Sequence, residues 1–245
     1  MSKSKKFKNA ALLIIGNEIL SGRTQDKNIN YLAKQLFSHG ISLEEVRVIP
    51  DVKSTIIKTV KSLKNNFNYI ISTGGIGATH DDITAESISA ALKKDYCLNK
   101  KALKELEKYY KNKSDLTDAR KKMAYMPKGS KIILNKVSGA PGFQIENIYV
   151  FAGIPIIVEA MMKELLKNIK SNTKIYSKSI KTKFFESMIA QKLKNTEIEF
   201  TDVRVGSYPI FDGKFRGVEI VMNSYSKKNI VLAFKYLKKE LNKKI

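Results

Sequence analysis

Cysteine is nearly absent from this sequence: Cys97 stands alone among 245 residues. One thiol excludes a disulfide framework and any zinc site built on cysteines. It also suits a reducing compartment, so a cytoplasmic protein is expected. The five prolines are scattered, which excludes collagen-like and proline-rich classes. No apolar run reaches the roughly 18 residues that a membrane-spanning helix needs, so no membrane association is expected. The run Ala10 to Ile15 is too short for the core of a signal peptide, and the basic opening Met1 to Lys8 reads as a solvated tail. Arginine is scarce as well, at Arg23, Arg47, Arg120, Arg204 and Arg216 only, so lysine supplies nearly all of the net charge of +22. The lysines are spread along the whole chain. They read as a solvated surface and not as a nucleic-acid face, although they would help attract anionic nucleotides. There are two histidines. His39, beside Gly40, reads as a partner for a helix end, and His80 as a hydrogen-bonding or stacking group. No Ser/His/Asp arrangement is present.

What is there is an apolar fraction of 43%, enough for a real core. The length allows one large α/β domain, or a domain of about 150 residues with a smaller one. Ala10 to Ile15 is an unbroken apolar run, as expected for a strand covered on both faces. Ile29, Leu32, Ala33, Leu36 and Phe37 follow at helical spacing, with Asp26 as the expected N-cap and Gly40 as the stop. Val46 to Ile49 reads as a strand. Ile56 to Leu63 reads as a helix capped by Ser54, and Tyr69 to Ser72 as a strand. A helix opens at Thr84, and a longer one carries Ala102, Leu106 and Tyr110. Ile132 to Leu134 and Tyr149 to Phe151 read as later strands, the second leading into a helix from about Ile157 to Ile169. Strands alternating with helices imply a parallel sheet.

After Ile169 the pattern changes. Residues 170 to 174 read as a linker. Then come a strand (Ile175 to Thr182), a helix (Phe185 to Leu193), two strands (Asp202 to Tyr208, Phe215 to Asn223) and a helix (Lys228 to Asn242). The expected division is an α/β domain over 1–169 and a small α+β domain of order βαββα over 170–245.

The stretch "STGGIGATHDDIT", Ser72 to Thr84, carries the chemistry. Ligands of open parallel sheets bind beyond the carboxyl ends of the strands, where this loop falls. Gly74, Gly75 and Gly77 let a ligand approach the backbone, and successive N–H groups there favour an anion. The start of a helix at Thr84 does the same. Asp81 and Asp82 suit a hard cation bridged to phosphate. The loop lacks the Gly-Lys-Ser/Thr of a Walker A loop, and His80 stands where a dinucleotide fingerprint needs its third glycine. The competing reading is a tight turn with capping aspartates. Glu18 follows the first strand and Asp26 opens the first helix, so Glu18, Asp26, Asp81 and Asp82 are expected to converge on one divalent cation. Asn17 and Asn28 would add neutral oxygens or ribose contacts.

The segments "IIGNEILSGRTQDKNINYLAKQL", "STGGIGATHDDIT", "SGAPGF" and "FAGIP", in this order, resemble the amino-terminal domain of the CinA (competence/damage-inducible protein A) family, which has the molybdopterin-binding MoaB/Mog-like fold. The resemblance runs from about Ala11 to Leu166, and "VRVGSYPIF" from Val203 resembles the small domain of stand-alone members without the deamidase domain. It implies a three-layer α/β/α sandwich with a mostly parallel sheet. It implies two activities: metal-dependent hydrolysis of ADP-ribose to AMP and ribose 5-phosphate, or molybdopterin binding that supports adenylylation. It places Gly74, Gly75, Gly77, Thr79, Asp82 and Thr84 in a phosphate and metal loop, with Glu18 as an acidic site residue and Asp26 and Asn28 beside it. Pro141 and Gly142 would shape the opposite wall, helped by Gly153 and Pro155. Asn17, Ala78 and Ala152 depart from the residues usual in the family, and Asn17 removes a charge from the metal site.

Three readings follow. The first is a pyrophosphatase using a divalent metal of the Mg, Mn or Co class, in which Asp81, Asp82 and Glu18 are catalytic and, with Asp26, hold the metal. Thr79, Thr84 and Asn28 would contact the substrate. The second is a pterin-phosphate binder without hydrolysis, with molybdopterin as the ligand. The third is a non-catalytic interaction module. The expected partners are a small nucleotide or pterin phosphate and a second copy of the chain in a homo-oligomer, with a dimer favoured.

Overall fold

A computed structural model describes residues 8–169, 174–211, 213 and 216–243. The expected basic tail up to residue 7 and the linker at 170–173 lie outside the described residues, as does Phe215. The described residues divide into two compact units, one holding 8–37 and 41–169 and the other holding 38–40 and those from 174 onward.

The larger unit runs β1 (Lys8–Ile15), α1 (Asn17–Leu20), α2 (Asn28–Ser38), β2 (Ile41–Ile49), α3 (Lys53–Lys64), β3 (Tyr69–Thr73), α4 (Thr84–Ala91) and β4 (Tyr96–Leu98). It continues through α5 (Lys100–Tyr109), α6 (Asp118–Lys121), β5 (Tyr125–Pro127), β6 (Lys131–Ile133), β7 (Gly142–Ile145), β8 (Ile148–Phe151) and α7 (Pro155–Asn168). The main sheet has the order β2-β1-β3-β8-β7-β6. Its first four strands are parallel, and β7 and β6 close it antiparallel. β4 and β5 form a separate two-stranded ladder.

The unbroken apolar run of β1 has a direct cause. Side chains alternate across a strand. Ala11, Leu13 and Ile15 enter one core with Ile56, Val60 and Leu63 of α3 and Ile88 of α4. Ala10, Leu12 and Ile14 enter another with Leu32 and Leu36 of α2 and Val158, Met161 and Met162 of α7. Both faces are covered, so no polar position is tolerated. The unit is a three-layer α/β/α sandwich.

Several boundaries differ from expectation. β2 begins at Ile41 rather than Val46, because pairing with β1 extends over Ser42 to Glu45, where polar residues flank Leu43. Ser54 lies inside α3 and does not cap it; Val52 occupies the cap position without a side-chain bond. Helix α7 begins at Pro155, whose missing N–H costs nothing in a first turn. Strands β4, β5 and β7 are three or four residues long, too short for a periodic signal.

The smaller unit consists of β9 (Tyr176–Thr182), α8 (Glu186–Glu199), β10 (Arg204–Phe211), β11 (Arg216–Ser224) and α9 (Lys227–Asn242), in the expected βαββα order. Its antiparallel sheet runs β10-β11-β9, and its core includes Ile189 of α8, Ile220 and Met222 of β11, and Ala233 and Leu237 of α9. Among the described residues no helix is long and apolar enough to cross a membrane.

Candidate functional site

The register of the parallel strands brings four loops to one level. Ile15 pairs with Ile49, Ile14 with Thr73, and Thr73 with Phe151, so β1, β2, β3 and β8 end together. Backbone bonds lock the exits: Gly16 N–H donates to Ile49 O at 3.2 Å, and Gly74 N–H to Phe151 O at 3.1 Å. A cavity of about 340 Å³ lies beyond these ends, within the size range of small-molecule sites. Glu18 and Thr24 line it after β1, Asp51 after β2, Gly74, Gly75, Asp81 and Asp82 after β3, and Gly153 and Pro155 after β8.

Two glycines are required by the backbone itself. Gly74 has φ +98°, and a Cβ there would lie 2.1 Å from the Ile15 carbonyl oxygen. Gly75 has φ +66°, and a Cβ there would lie 2.2 Å from Thr84 Oγ1. The loop therefore packs against β1 on one side and α4 on the other.

The acidic turn is organised by Thr79. Its N–H donates to Asp82 Oδ2 at 2.8 Å. Its hydroxyl oxygen lies 2.5 Å from Asp81 Oδ1 and 2.5 Å from Asp82 Oδ2, and its single proton serves one of them at a time. The Thr79 hydroxyl, and after it the Asp81 backbone N–H, holds the Asp81 carboxyl below the usual carboxylate range, with a smaller contribution from the Lys122 charge. Lys122 Nζ donates to the Thr79 carbonyl at 2.7 Å. Thr84 opens α4 with its N–H on Gly75 O at 3.0 Å. Its hydroxyl is buried without a hydrogen-bond partner among the described residues.

Of the residues singled out in the sequence, Glu18, Gly74, Gly75, Asp81 and Asp82 meet at the cavity. Asp26 and Asn28 do not line it. Asp26 caps α2, accepting Ile29 N–H at 2.8 Å. Asn28 is buried and donates to Gly153 O at 2.8 Å, tying the start of α2 to the loop after β8. Pro141 and Gly142 do not form the opposite wall either. Pro141 lines a separate crevice with Gly77, Asp82, Lys122 and Tyr125. Gly142 is packed in β7, where a Cβ would lie 2.3 Å from Val150 O. Asp51 escaped the sequence reading. It sits two residues past the end of β2, and its Oδ2 accepts the Asn17 N–H at 2.9 Å. The available signal was position alone, an acidic residue just after a strand of the same sheet.

Among the described residues no three Asp, Glu, His or Cys side chains gather as a group able to hold a metal ion. The carboxylates stand around the cavity instead. The donor set is nevertheless all oxygen, which is the chemistry of a hard divalent cation. Magnesium in particular is held by one or two carboxylates together with substrate phosphates, and not by an all-protein cage. The residues fit such a shared ion.

Residues 11–171 match the family described as "probable molybdopterin binding domain", and residues 174–245 match the family described as "FAD synthase, middle domain". A protein of Archaeoglobus fulgidus is 32% identical over 95% of this chain and 98% of its own length. A CinA-like protein of Thermosipho melanesiensis is 31% identical over 82% of this chain, and the match spans about half, 52%, of that longer protein. The crystal structure of the protein CinA with unknown function from Thermoplasma acidophilum is 31% identical, with a TM-score of 0.62 over 66% of this chain and 98% of that one.

Proposed function

The chain belongs to the probable molybdopterin binding domain family, with CinA-like relatives, and from that premise we propose that its cavity binds the diphosphate of an ADP-ribose-like nucleotide and hydrolyses it. The observation that carries this reading is the meeting of Gly74, Gly75, Glu18, Asp51, Asp81 and Asp82 at one sheet edge. The Gly75 amide, which no described residue engages, would donate to a phosphate oxygen.

Glu18, Asp51 and Asp81 would hold a divalent cation with the ligand. When bound, such an ion neutralises phosphate charge and polarises phosphorus. A carboxylate held below its usual range is a poor proton acceptor near neutrality, which suits Asp81 to that task and not to base catalysis. In Asp82, Thr79 engages Oδ2 through both its N–H and its hydroxyl, and Oδ1 would take the proton of the attacking water. Water adds to phosphorus, the bridging P–O bond breaks, and AMP and ribose 5-phosphate leave. The test is turnover of ADP-ribose with magnesium, manganese or cobalt, in wild type and in Asp82→Asn.

A second reading has its own support. The match of residues 11–171 to a probable molybdopterin binding domain supports binding of a pterin phosphate, molybdopterin, without hydrolysis. Titration with molybdopterin and with ADP-ribose separates the two: tight pterin binding with no ADP-ribose cleavage supports the second.

A further inference from the structure

Next to the acidic turn stands a lysine from a distant part of the chain. We infer that Lys122 is a positioning residue: by gripping the Thr79 carbonyl it fixes the residue whose N–H and hydroxyl set the Asp81 and Asp82 carboxylates. The inference rests on the reading that this turn is functional.

The contact is long-range. Lys122 opens a short 3-10 turn, Lys122–Ala124, just after α6, and reaches back 43 residues to Thr79 O at 2.7 Å. The same oxygen accepts the Asp82 N–H at 3.3 Å, which closes the turn from Thr79 to Asp82. Lys122 therefore bears on the one carbonyl that defines the turn. From Thr79 the chain of bonds continues directly to both carboxylates.

The neighbours of Lys122 are committed elsewhere, and this fixes its reach. The Arg120 guanidinium lies over the Tyr110 ring, 4.5 Å from its centroid, and also donates to the Asp115 carbonyl. Lys121 pairs with Asp118 at 2.9 Å. The Thr117 hydroxyl caps α6 through the Arg120 N–H at 3.4 Å. Ala124 is fully buried, and Met123 packs against the core. Lys122 itself makes no ion pair among the described residues.

Charge gives the contact its second role. The cavity and the adjoining crevice are lined by Glu18, Asp51, Asp81 and Asp82, and Lys122 is the only cationic side chain lining either one among the described residues. Two adjacent aspartates facing a phosphate repel it and each other. An ammonium at the back of the turn offsets that repulsion without occupying the cavity.

Hydrogen exchange of the amides from Gly77 to Asp82 tests the inference in wild type, Lys122→Met, Lys122→Gln, Lys122→Arg and the neighbouring control Lys121→Met. Removal of the ammonium should speed exchange at Thr79 and Asp82 about tenfold, the worth of one charge-assisted hydrogen bond. Lys122→Arg and Lys121→Met should stay near wild type. In ADP-ribose turnover, kcat should fall about tenfold in Lys122→Met with KM changed less than about twofold, and Lys122→Arg should restore it. Unchanged exchange in folded Lys122→Met and Lys122→Gln overturns the inference. Failure of the wild type to cleave ADP-ribose overturns the proposed hydrolysis instead, and the exchange result still decides the role of Lys122.

Discussion

Gly75 and Thr84 grip each other. The Thr84 N–H donates to the Gly75 carbonyl at 3.0 Å, and Thr84 Oγ1 occupies the space where a Cβ on residue 75 would sit. The glycine-rich loop is thereby seated on the first turn of α4. Gly75→Ala should cost about 2–4 kcal/mol, the sum of a left-handed backbone carrying a side chain and a displaced threonine. Urea unfolding checks this, and a loss under about 0.5 kcal/mol would contradict the seating.

Thr84 makes the opposite prediction. Its buried hydroxyl has no hydrogen-bond partner among the described residues, so it carries a desolvation cost with no return. Thr84→Val, close in shape, should leave ligand-free stability unchanged or raise it by up to about 1 kcal/mol. Differential scanning calorimetry reads the change directly. A clear loss would show that the hydroxyl has a partner in solution.

Acid should loosen the turn. The folded Asp81 carboxyl titrates below its unfolded value. Its contribution is therefore fully present above that unfolded value and is lost as pH falls through the lowered folded one. Between about pH 5 and 2, Asp81→Asn and Thr79→Val should each show a shallower fall of melting temperature than wild type. Parallel curves for all three proteins would remove the Thr79–Asp81 bond from the account.

Asp26 separates capping from metal binding. It accepts the Ile29 N–H and does not line the cavity. Asp26→Ala should lose about 1 kcal/mol of stability, a typical N-cap cost, with the divalent-ion dependence of turnover unchanged. A shifted metal requirement with unchanged stability would return Asp26 to the site.

Much of the architecture was legible because it follows from burial. The solid apolar run of β1 announces a strand covered on both faces, and the stripe of α2 announces the helix that covers it. The glycine loop was legible because strand-end loops in a parallel sheet share a rim. Asp51 was not, because a single carboxylate in the short link between β2 and α3 has no pattern around it, and register alone brings it beside Gly75. Pro141 and Gly142 were misplaced for a related reason. β7 runs antiparallel to β8, pairing Phe143 with Val150, so Pro141 reaches the rim level one strand further out and lines another crevice, while Gly142 is packed against β8. Lys122 lies 43 residues from its partner, a distance that no local motif spans.

Turnover of ADP-ribose by wild type and Asp82→Asn, assayed side by side with magnesium, manganese or cobalt, reaches the centre of the account. Cleavage to AMP and ribose 5-phosphate by the wild type, slowed about 10²–10³-fold in a variant that melts within a few degrees of it, is the predicted result. Equal turnover in the two proteins, or none in the wild type with any of the three ions, would contradict it.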